Sequence, residues 1–287
     1  MINQLLITTT ELASHLDDPN WLVVDCRFAL SRPDEKEELY LKAHIPGAIY
    51  AHLDRDLSGP VISGQTGRHP LPAPAEATER FGRMGIGPGK QVVVYDDQGG
   101  SLAAVRLWLM LRWLGHSDAA VLDGSWQKWL QEDRPVESGR VTHAAQTFLP
   151  RIQTGYFANQ DEVERIRLDP NYRLVDVRLP ERYSGAAEPI DPVAGHIPGA
   201  INYPYVENLD ANGEFRSPQE LRLRYEKLLD GTPIEKVVFY CGSGVTSIHS
   251  LLAVEYAGLG RARIYPGSWS EWITDRCKPV ALGSQAA

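Results

Sequence analysis

Cysteine is scarce in this chain, and a long apolar run is absent. The 287 residues include three cysteines, Cys26, Cys241 and Cys277. So sparse and odd a set argues against a disulfide framework and is typical of a reducing compartment, so we expect a cytoplasmic location. No run of about 18 apolar residues occurs, which predicts that no segment spans a membrane. The N-terminal residues Met1–Gln4 also lack the basic and apolar regions of a secretory signal.

Positive charge is also in short supply. The chain has 29 basic and 37 acidic residues, for a net charge of -8. Nucleic-acid-binding proteins usually carry a basic surplus, so nucleic acid is not an expected partner. The apolar fraction of 43% and the charged fraction of 23% are ordinary for a globular protein. At roughly 150 residues per domain, the length predicts about two domains.

The sequence repeats itself on the scale of a domain. Three blocks recur in the same order, namely Val24–Arg27 as Val175–Arg178, His44–Ile49 as His196–Ile201, and Gly124–Trp126 as Gly267–Trp269. A period this long indicates a duplicated domain rather than a solenoid. We expect one domain over residues 1–138, a linker over 139–158 and a second domain over 159–287.

Each copy alternates strand-like and helix-like segments. Gln91–Tyr95 and Lys236–Tyr240 are rich in β-branched and aromatic residues, which predicts buried strands. Glycine-containing turns follow them, and then come the helix-like stretches Ala103–Leu114 and Ser247–Ala257. This alternation predicts an α/β fold of two tandem domains, each a mainly parallel sheet flanked by helices.

Cys241 stands where a predicted strand ends and a glycine-rich loop begins. The loop Gly242–Thr246 reads Gly-Ser-Gly-Val-Thr, and a helix is expected to begin near Ser247. Amides of such a loop and of a helix N-terminus stabilise a thiolate, which predicts that Cys241 is an anionic nucleophile. A buried structural cysteine is the alternative. Neither Cys26 nor Cys277 precedes a glycine-rich loop, and both are interpreted as structural or incidental.

The first copy has no thiol at the corresponding position. After the strand that ends at Tyr95, the chain continues with Asp96 and the loop 97–101. Loss of the nucleophile from one copy predicts one active and one supporting domain. The alternative is that both domains are binding modules and that Cys241 has no chemical role.

Together these segments resemble the rhodanese (sulfurtransferase) family in its tandem two-domain form. The resemblance rests on the three blocks shared by the two copies and on Cys241–Thr246. It implies that a sulfane sulfur passes from a small-molecule donor, through a persulfide on Cys241, to cyanide or to a thiol such as that of thioredoxin. No metal or organic cofactor is implied.

The loop after the cysteine separates two subclasses of this family. Members that use 3-mercaptopyruvate typically read Cys-Gly-Ser-Gly-Val-Thr, as this chain does over Cys241–Thr246, whereas thiosulfate-using members carry basic residues there. The resemblance therefore implies the mercaptopyruvate type. Thiosulfate is the alternative donor, and a non-catalytic sulfur carrier or partner-binding module is the alternative function.

The resemblance also implies a proton-transfer group of Ser243, His69 and Asp54. The sequence places His69 and Asp54 in the first domain, and the alternatives are a surface-loop histidine and a loop or helix-capping aspartate. Such a group would move a proton from the donor thiol.

Arg182 matches the arginine with which the family binds the donor, and a surface arginine is the alternative. The loop residues Gly242, Gly244, Val245 and Thr246 complete the expected donor site. The chain departs from the family at Ile190, where mercaptopyruvate enzymes usually carry a second arginine. Either another basic residue substitutes, or the physiological donor differs. We expect Arg178 to form a structural ion pair with an acid of its own domain.

Two other site classes are not favoured. Cysteine phosphatases need an arginine at the sixth position after the cysteine, and this chain has Ser247 there. Zinc sites of the common kind need closely spaced pairs of cysteines or histidines, which the sequence lacks.

Overall fold

The computed structural model describes residues 4–284, which form two compact units. Residues 1–3, on which the prediction about a secretory signal partly rests, lie outside the described residues, as do 285–287. The first unit comprises the chain up to Gly59 together with 71–154 and 211–215. The second comprises 60–70, 155–210 and the chain from Arg216.

This division differs from the expected one because two short segments each belong to the other unit. Segment 60–70, expected in the first domain, belongs to the second unit. It does so because the Arg68 N–H donates to Ser270 Oγ (3.1 Å), and because Gly67 lies so close to the Gly267 carbonyl that a Cβ would come within 2.6 Å. In return, segment 211–215 belongs to the first unit, where the Phe215 N–H donates to Asp123 (2.8 Å).

Most of the expected linker lies along the first unit. The Gln146 N–H donates to the Gly82 carbonyl, and the Arg151 N–H donates to the Leu114 carbonyl, each at 2.8 Å. Backbone hydrogen bonds of this kind satisfy the polar groups of a segment that has no regular structure of its own.

The first unit alternates strands and helices along the chain. Its strands are β1 (Leu6–Ile7), β2 (Trp21–Asp25), β3 (Ile49–Tyr50), β4 (Gln91–Tyr95) and β5 (Ala119–Leu122). Its helices are α1 (Thr9–Ala13), α2 (Glu35–Lys42), α3 (Leu53–Asp56), α4 (Pro74–Arg83), α5 (Ala103–Trp113) and α6 (Ser125–Gln131).

The second unit follows the same plan. Its strands are β6 (Arg173–Asp176), β7 (Ile201–Asn202), β8 (Val237–Tyr240) and β9 (Arg263–Ile264). Its α-helices are α7 (Gln160–Ile166), α8 (Pro180–Ser184), α9 (Pro218–Leu229), α10 (Ser247–Tyr256) and α11 (Ser268–Trp272). Two short 3₁₀ helices cover Tyr205–Asn208 and Ile234–Lys236.

Both sheets are parallel, and their strand orders correspond. Among the described residues the first sheet has the order β1-β5-β4-β2-β3 and the second the order β7-β6-β8-β9, and every pairing within them is parallel. At the edge that β1 occupies in the first unit, the second has a single parallel bridge between Phe157 and Ile264. The predicted α/β fold of two tandem domains is confirmed.

The central strands are buried because they are apolar along their whole length. Every residue of β4 and of β8 is buried, as expected for a parallel sheet that is flanked by helices. Helix α10, which follows β8 in the chain, is buried from Ser247 to Val254. The residues after β8 are therefore held between two rigid buried elements.

A buried ion pair recurs at the same point of both units. Arg178 binds the Asp176 carboxylate (2.6 Å) and lies over the Trp269 ring, as expected for a structural role. Arg27 binds Asp25 (2.7 Å) in the same way and lies over Trp126. Within residues 4–284, no helix is both long and apolar enough to cross a membrane.

Candidate active site

Cys241 is the first residue after β8, and its loop is attached to α11. The Cys241 N–H donates to Ser268 Oγ (3.1 Å), while its carbonyl accepts from the Trp269 N–H (3.0 Å). The Gly242 carbonyl accepts from the Ser270 N–H (2.9 Å). Both N–H and carbonyl groups of the loop are thus bonded to α11, and these bonds hold the Cys241 sulfur in a defined position.

Gly244 is required for the loop to close around the sulfur. Its φ of +73° is a conformation that side chains with a Cβ rarely adopt. A Cβ on Gly244 would also lie 1.9 Å from the Pro266 carbonyl oxygen, which is far inside van der Waals contact. Two independent constraints therefore demand glycine at this position.

The Cys241 thiol has a depressed pKa although it is buried. Burial raises the pKa of Cys241, but hydrogen bonds from the Thr246 hydroxyl and from the Ser243 and Ser247 N–H groups lower it below the ordinary value of a thiol. Ser247 is the first residue of α10, so one donor is a helix N-terminus. The site thus has the electrostatics of a nucleophilic thiolate.

This arrangement predicts how the reactivity of Cys241 depends on pH. Its alkylation by iodoacetamide should reach half its maximal rate at a lower pH than alkylation of an unfolded peptide with the same cysteine. The variant Thr246→Val should shift that midpoint upward, because it removes a donor to the thiolate. Peptide-resolved mass spectrometry over a pH series measures both midpoints. A midpoint at or above that of the peptide contradicts the assignment.

Cys26 occupies the opposite kind of environment. Burial and the nearby carboxylates of Asp25, Asp96 and Asp56 raise the pKa of Cys26 well above its ordinary value. Cys277 is exposed near the C-terminus. Both observations favour the interpretation that neither thiol is the nucleophile.

In the first unit a carboxylate takes the place of the thiol. Asp96 follows β4 as Cys241 follows β8, and it accepts N–H bonds from Gln98 (2.8 Å), Gly100 (2.9 Å) and Leu102 (2.9 Å). Burial, opposed by these N–H donors, raises the pKa of Asp96 to about 6. The loop that follows this strand therefore surrounds an acidic group in both copies, and the second copy holds a sulfur there.

Ser243 and His69 lie together beside Cys241. The Ser243 hydroxyl and His69 Nδ1 are hydrogen-bonded at 2.8 Å. His69 is buried with 5% of its surface exposed, so the surface-loop alternative does not apply. Its segment, 60–70, belongs to the same unit as Cys241. Two members of the predicted proton-transfer group are thus adjacent.

Asp54 belongs to the other unit. It lies in the first turn of α3 and donates its backbone N–H to His52 Nδ1 (3.1 Å), so His52 caps that helix. The assignment of Asp54 to the site remains a prediction from the sequence.

Two guanidinium groups lie over Gly242, the residue that follows Cys241. A Cβ built on Gly242 would come 3.0 Å from Arg68 Nη2 and 3.4 Å from Arg182 Nη1. Glycine at this position leaves room for both cations. Of the remaining residues predicted to bind the donor, Val245 is buried and Thr246 is partly exposed.

Acidic side chains hold these guanidinium groups. Asp191 accepts from Arg68 on one carboxylate oxygen and from Arg182 on the other (2.9 Å), and Arg182 also binds Glu188 (2.7 Å). Ile190, which stands where the family usually has its second arginine, is 42% exposed. The second guanidinium near the loop therefore comes from Arg68, in a different segment of the chain.

Sequence reasoning missed Arg68 and Asp191. A signal was present for each, because Arg68 directly precedes His69 and Asp191 directly follows Ile190. Their pairing depends on segment 60–70 joining the second unit, which no local pattern indicates. Among the described residues, no group of three or more histidine, cysteine, aspartate or glutamate side chains is placed to hold a metal ion.

The family model for the rhodanese-like domain matches the chain twice, over residues 8–132 and 159–275. A Pseudomonas aeruginosa protein named "Probable 3-mercaptopyruvate sulfurtransferase" is 43% identical over 99% of this chain and 100% of its own. The thiosulfate sulfurtransferase of Bos taurus is 33% identical over 93% of this chain and 89% of its own.

A solved structure shows the same fold. The 3-mercaptopyruvate sulfurtransferase from Leishmania major superposes with a TM-score of 0.81 at 32% identity, over 95% of this chain and 75% of that one. The two matches to the family model span most of the chain and coincide with the two repeats. The chain therefore belongs to the rhodanese family and carries two tandem copies of its domain.

Proposed function

We propose that the protein is a sulfurtransferase that moves a sulfane sulfur from 3-mercaptopyruvate to a thiol or cyanide acceptor through a persulfide on Cys241. The observation that carries the proposal is the placement of a fully buried thiol between β8 and the N-terminus of α10, where the N–H groups of Ser243 and Ser247 lower its pKa. A buried structural cysteine would show the opposite shift, as Cys26 does. Membership of a family whose relatives include named sulfurtransferases supports the same conclusion.

In the first step, the Cys241 thiolate attacks the sulfur of the donor. A sulfur–sulfur bond forms, the donor carbon–sulfur bond breaks, and its electron pair leaves on carbon as the enolate of pyruvate. A proton from the donor thiol then passes to that enolate, which gives pyruvate and an ionised persulfide. The Ser243 hydroxyl and His69 are the groups adjacent to Cys241 that would carry this proton. Asp54 would assist them, as the resemblance implies.

In the second step, an acceptor removes the outer sulfur. A thiolate or cyanide attacks that sulfur, the sulfur–sulfur bond breaks, and Cys241 leaves as the thiolate. The same N–H and hydroxyl donors that lower the pKa of Cys241 stabilise this leaving group. No external oxidant or reductant is consumed. We propose a protein thiol such as that of thioredoxin as the acceptor in a reducing cytoplasm.

Arg182 is proposed to bind the donor carboxylate. Its Nη1 group lies beside Gly242 and can donate to a carboxylate, while Nε and Nη2 are bonded to Glu188 and Asp191. We expect Arg182→Ala to raise KM for 3-mercaptopyruvate about tenfold or more with a smaller change in kcat, since charged hydrogen bonds contribute roughly 1.5–3 kcal/mol. Steady-state kinetics measures both constants. The control is Arg222→Ala, because Arg222 lies on α9 and pairs only with Glu226 among the described contacts. An unchanged KM for Arg182→Ala would refute the anchoring role.

Thiosulfate is the second candidate donor, favoured by the two guanidinium groups over Gly242. The deciding experiment measures kcat/KM for 3-mercaptopyruvate and thiosulfate side by side, with cyanide as the common acceptor. The proposal expects the higher value for 3-mercaptopyruvate. A higher value for thiosulfate would replace the donor but keep the Cys241 mechanism. Turnover of neither donor would favour the sulfur-carrier alternative.

A further inference from the structure

Asp191 places a carboxylate between the two guanidinium groups that lie over Gly242. One of its oxygens binds Arg68 and the other binds Arg182. Only 2% of the Asp191 side chain is exposed, so its charge is held in place and poorly screened by water. Asp191 thus already occupies the kind of position that an anionic ligand of the two guanidinium groups would take.

The acids cancel the charge of these arginines. Arg68 and Arg182 supply two positive charges, and Asp191 with Glu188 supplies two negative ones. A third cation, Arg178, shares Glu188 (3.3 Å) and also binds Asp176 (2.6 Å), so three guanidinium groups are paired with three carboxylates. The two arginines therefore present N–H donors in fixed directions, but the paired carboxylates leave little net positive charge.

This balance affects donors according to their charge. A single carboxylate, as in 3-mercaptopyruvate, takes hydrogen bonds from a guanidinium and brings one negative charge. Thiosulfate brings two, and each is repelled by the fixed carboxylate of Asp191. Repulsion built into a site in this way discriminates between ligands that the same hydrogen-bond donors would otherwise accept.

We propose that Asp191 is a specificity-determining residue, whose carboxylate between Arg68 and Arg182 disfavours dianionic sulfur donors relative to monoanionic ones. The proposal rests on the sulfurtransferase function proposed above. It differs from a purely structural role, because loss of a structural ion pair would impair both donors alike.

The variant Asp191→Asn tests the proposal, since it removes the charge and keeps the shape. The ratio of kcat/KM for thiosulfate to kcat/KM for 3-mercaptopyruvate should rise about tenfold, which corresponds to about 1.4 kcal/mol. Asp191→Ser provides a second neutral variant with the same expected direction, and circular dichroism establishes that each is folded. Asp191→Glu retains the charge and should keep the ratio near that of the wild type.

A control separates the local charge from the net charge of the protein. Glu226→Gln removes one negative charge from the exposed face of α9 and should leave the ratio unchanged. A ratio that stays constant or falls in both neutral Asp191 variants would overturn the proposal. So would an equal rise in the Glu226 control.

A second readout needs no sulfur transfer. In a Cys277→Ser background, Cys241 is alkylated with iodoacetate, an anion, and with iodoacetamide, its neutral counterpart. Asp191→Asn should raise the ratio of the two rates several-fold, measured on the peptide that contains Cys241. If the wild type transfers sulfur from neither donor, the proposed function fails, and this ratio still decides the role of Asp191. An unchanged ratio here would contradict that role.

Discussion

Replacement of Cys241 by serine is expected to reduce sulfur transfer by about three orders of magnitude or more. A serine hydroxyl is not ionised at neutral pH and cannot form a persulfide, so the covalent route is lost. The hydroxyl is close to the thiol in size, and we expect the fold to be retained. Steady-state assays with 3-mercaptopyruvate and cyanide measure the loss.

The other two cysteines provide matched controls for this result. Cys26→Ser and Cys277→Ser should keep most of the activity, because Cys26 has a raised pKa in its acidic surroundings and Cys277 lies at the surface. Cys26 is fully buried, so its serine variant is compared at equal amounts of folded protein. Substantial turnover by Cys241→Ser, or complete loss in Cys277→Ser, would be incompatible with the assigned nucleophile.

The second large effect is expected for Gly244→Ala. The added methyl group would lie 1.9 Å from the Pro266 carbonyl oxygen, so the loop must move. A shift of about 1 Å in a group that positions the reaction can reduce the rate about 100-fold. Strain at a φ of +73° and overpacking together should lower the free energy of unfolding by about 2–5 kcal/mol. Urea denaturation and kcat per folded molecule measure the two effects.

Gly258 offers a control with almost the same φ angle. Its φ is +71°, but no atom lies within 4 Å of a Cβ built there. Gly258→Ala should therefore cost only about 1 kcal/mol of stability and leave kcat unchanged. Equal losses of activity in the two variants would show that the contact between Gly244 and Pro266 does not position the loop.

Local sequence patterns predicted the elements on either side of Cys241. The β-branched run that ends at Tyr240 predicted β8, and the loop Gly242–Thr246 predicted a turn into α10. These are properties of short segments, which burial and backbone preference determine directly. The duplicated blocks likewise predicted two α/β domains, since each copy contains the same alternation of strands and helices.

The surroundings of Cys241 were only partly predictable. His69 and Arg182 were identified by resemblance, whereas Arg68 and Asp191 were not. Their ion pair joins segment 60–70 to residues far along the chain, and such a contact depends on tertiary packing rather than on local preference. The same packing explains why a segment expected in the first domain belongs to the second unit.

Asp96 is a second feature that the sequence predicted only in part. The sequence indicated that the first copy lacks a thiol, but it did not indicate what the loop would do in its absence. In the structure, the Asp96 carboxylate accepts three backbone N–H bonds, and that of Gly100 is buried and would otherwise lack a partner. In the first unit, the Asp96 carboxylate therefore satisfies the N–H groups of the loop.

The central claim is that Cys241 carries the transferred sulfur. The most direct test treats the wild-type protein with one equivalent of 3-mercaptopyruvate and measures the mass of the intact protein and of the peptide that contains Cys241. The account predicts a gain of one sulfur atom on that peptide, which cyanide removes with release of thiocyanate. A protein that turns the donor over with no added sulfur on Cys241, or with the sulfur on Cys26 or Cys277, would contradict it.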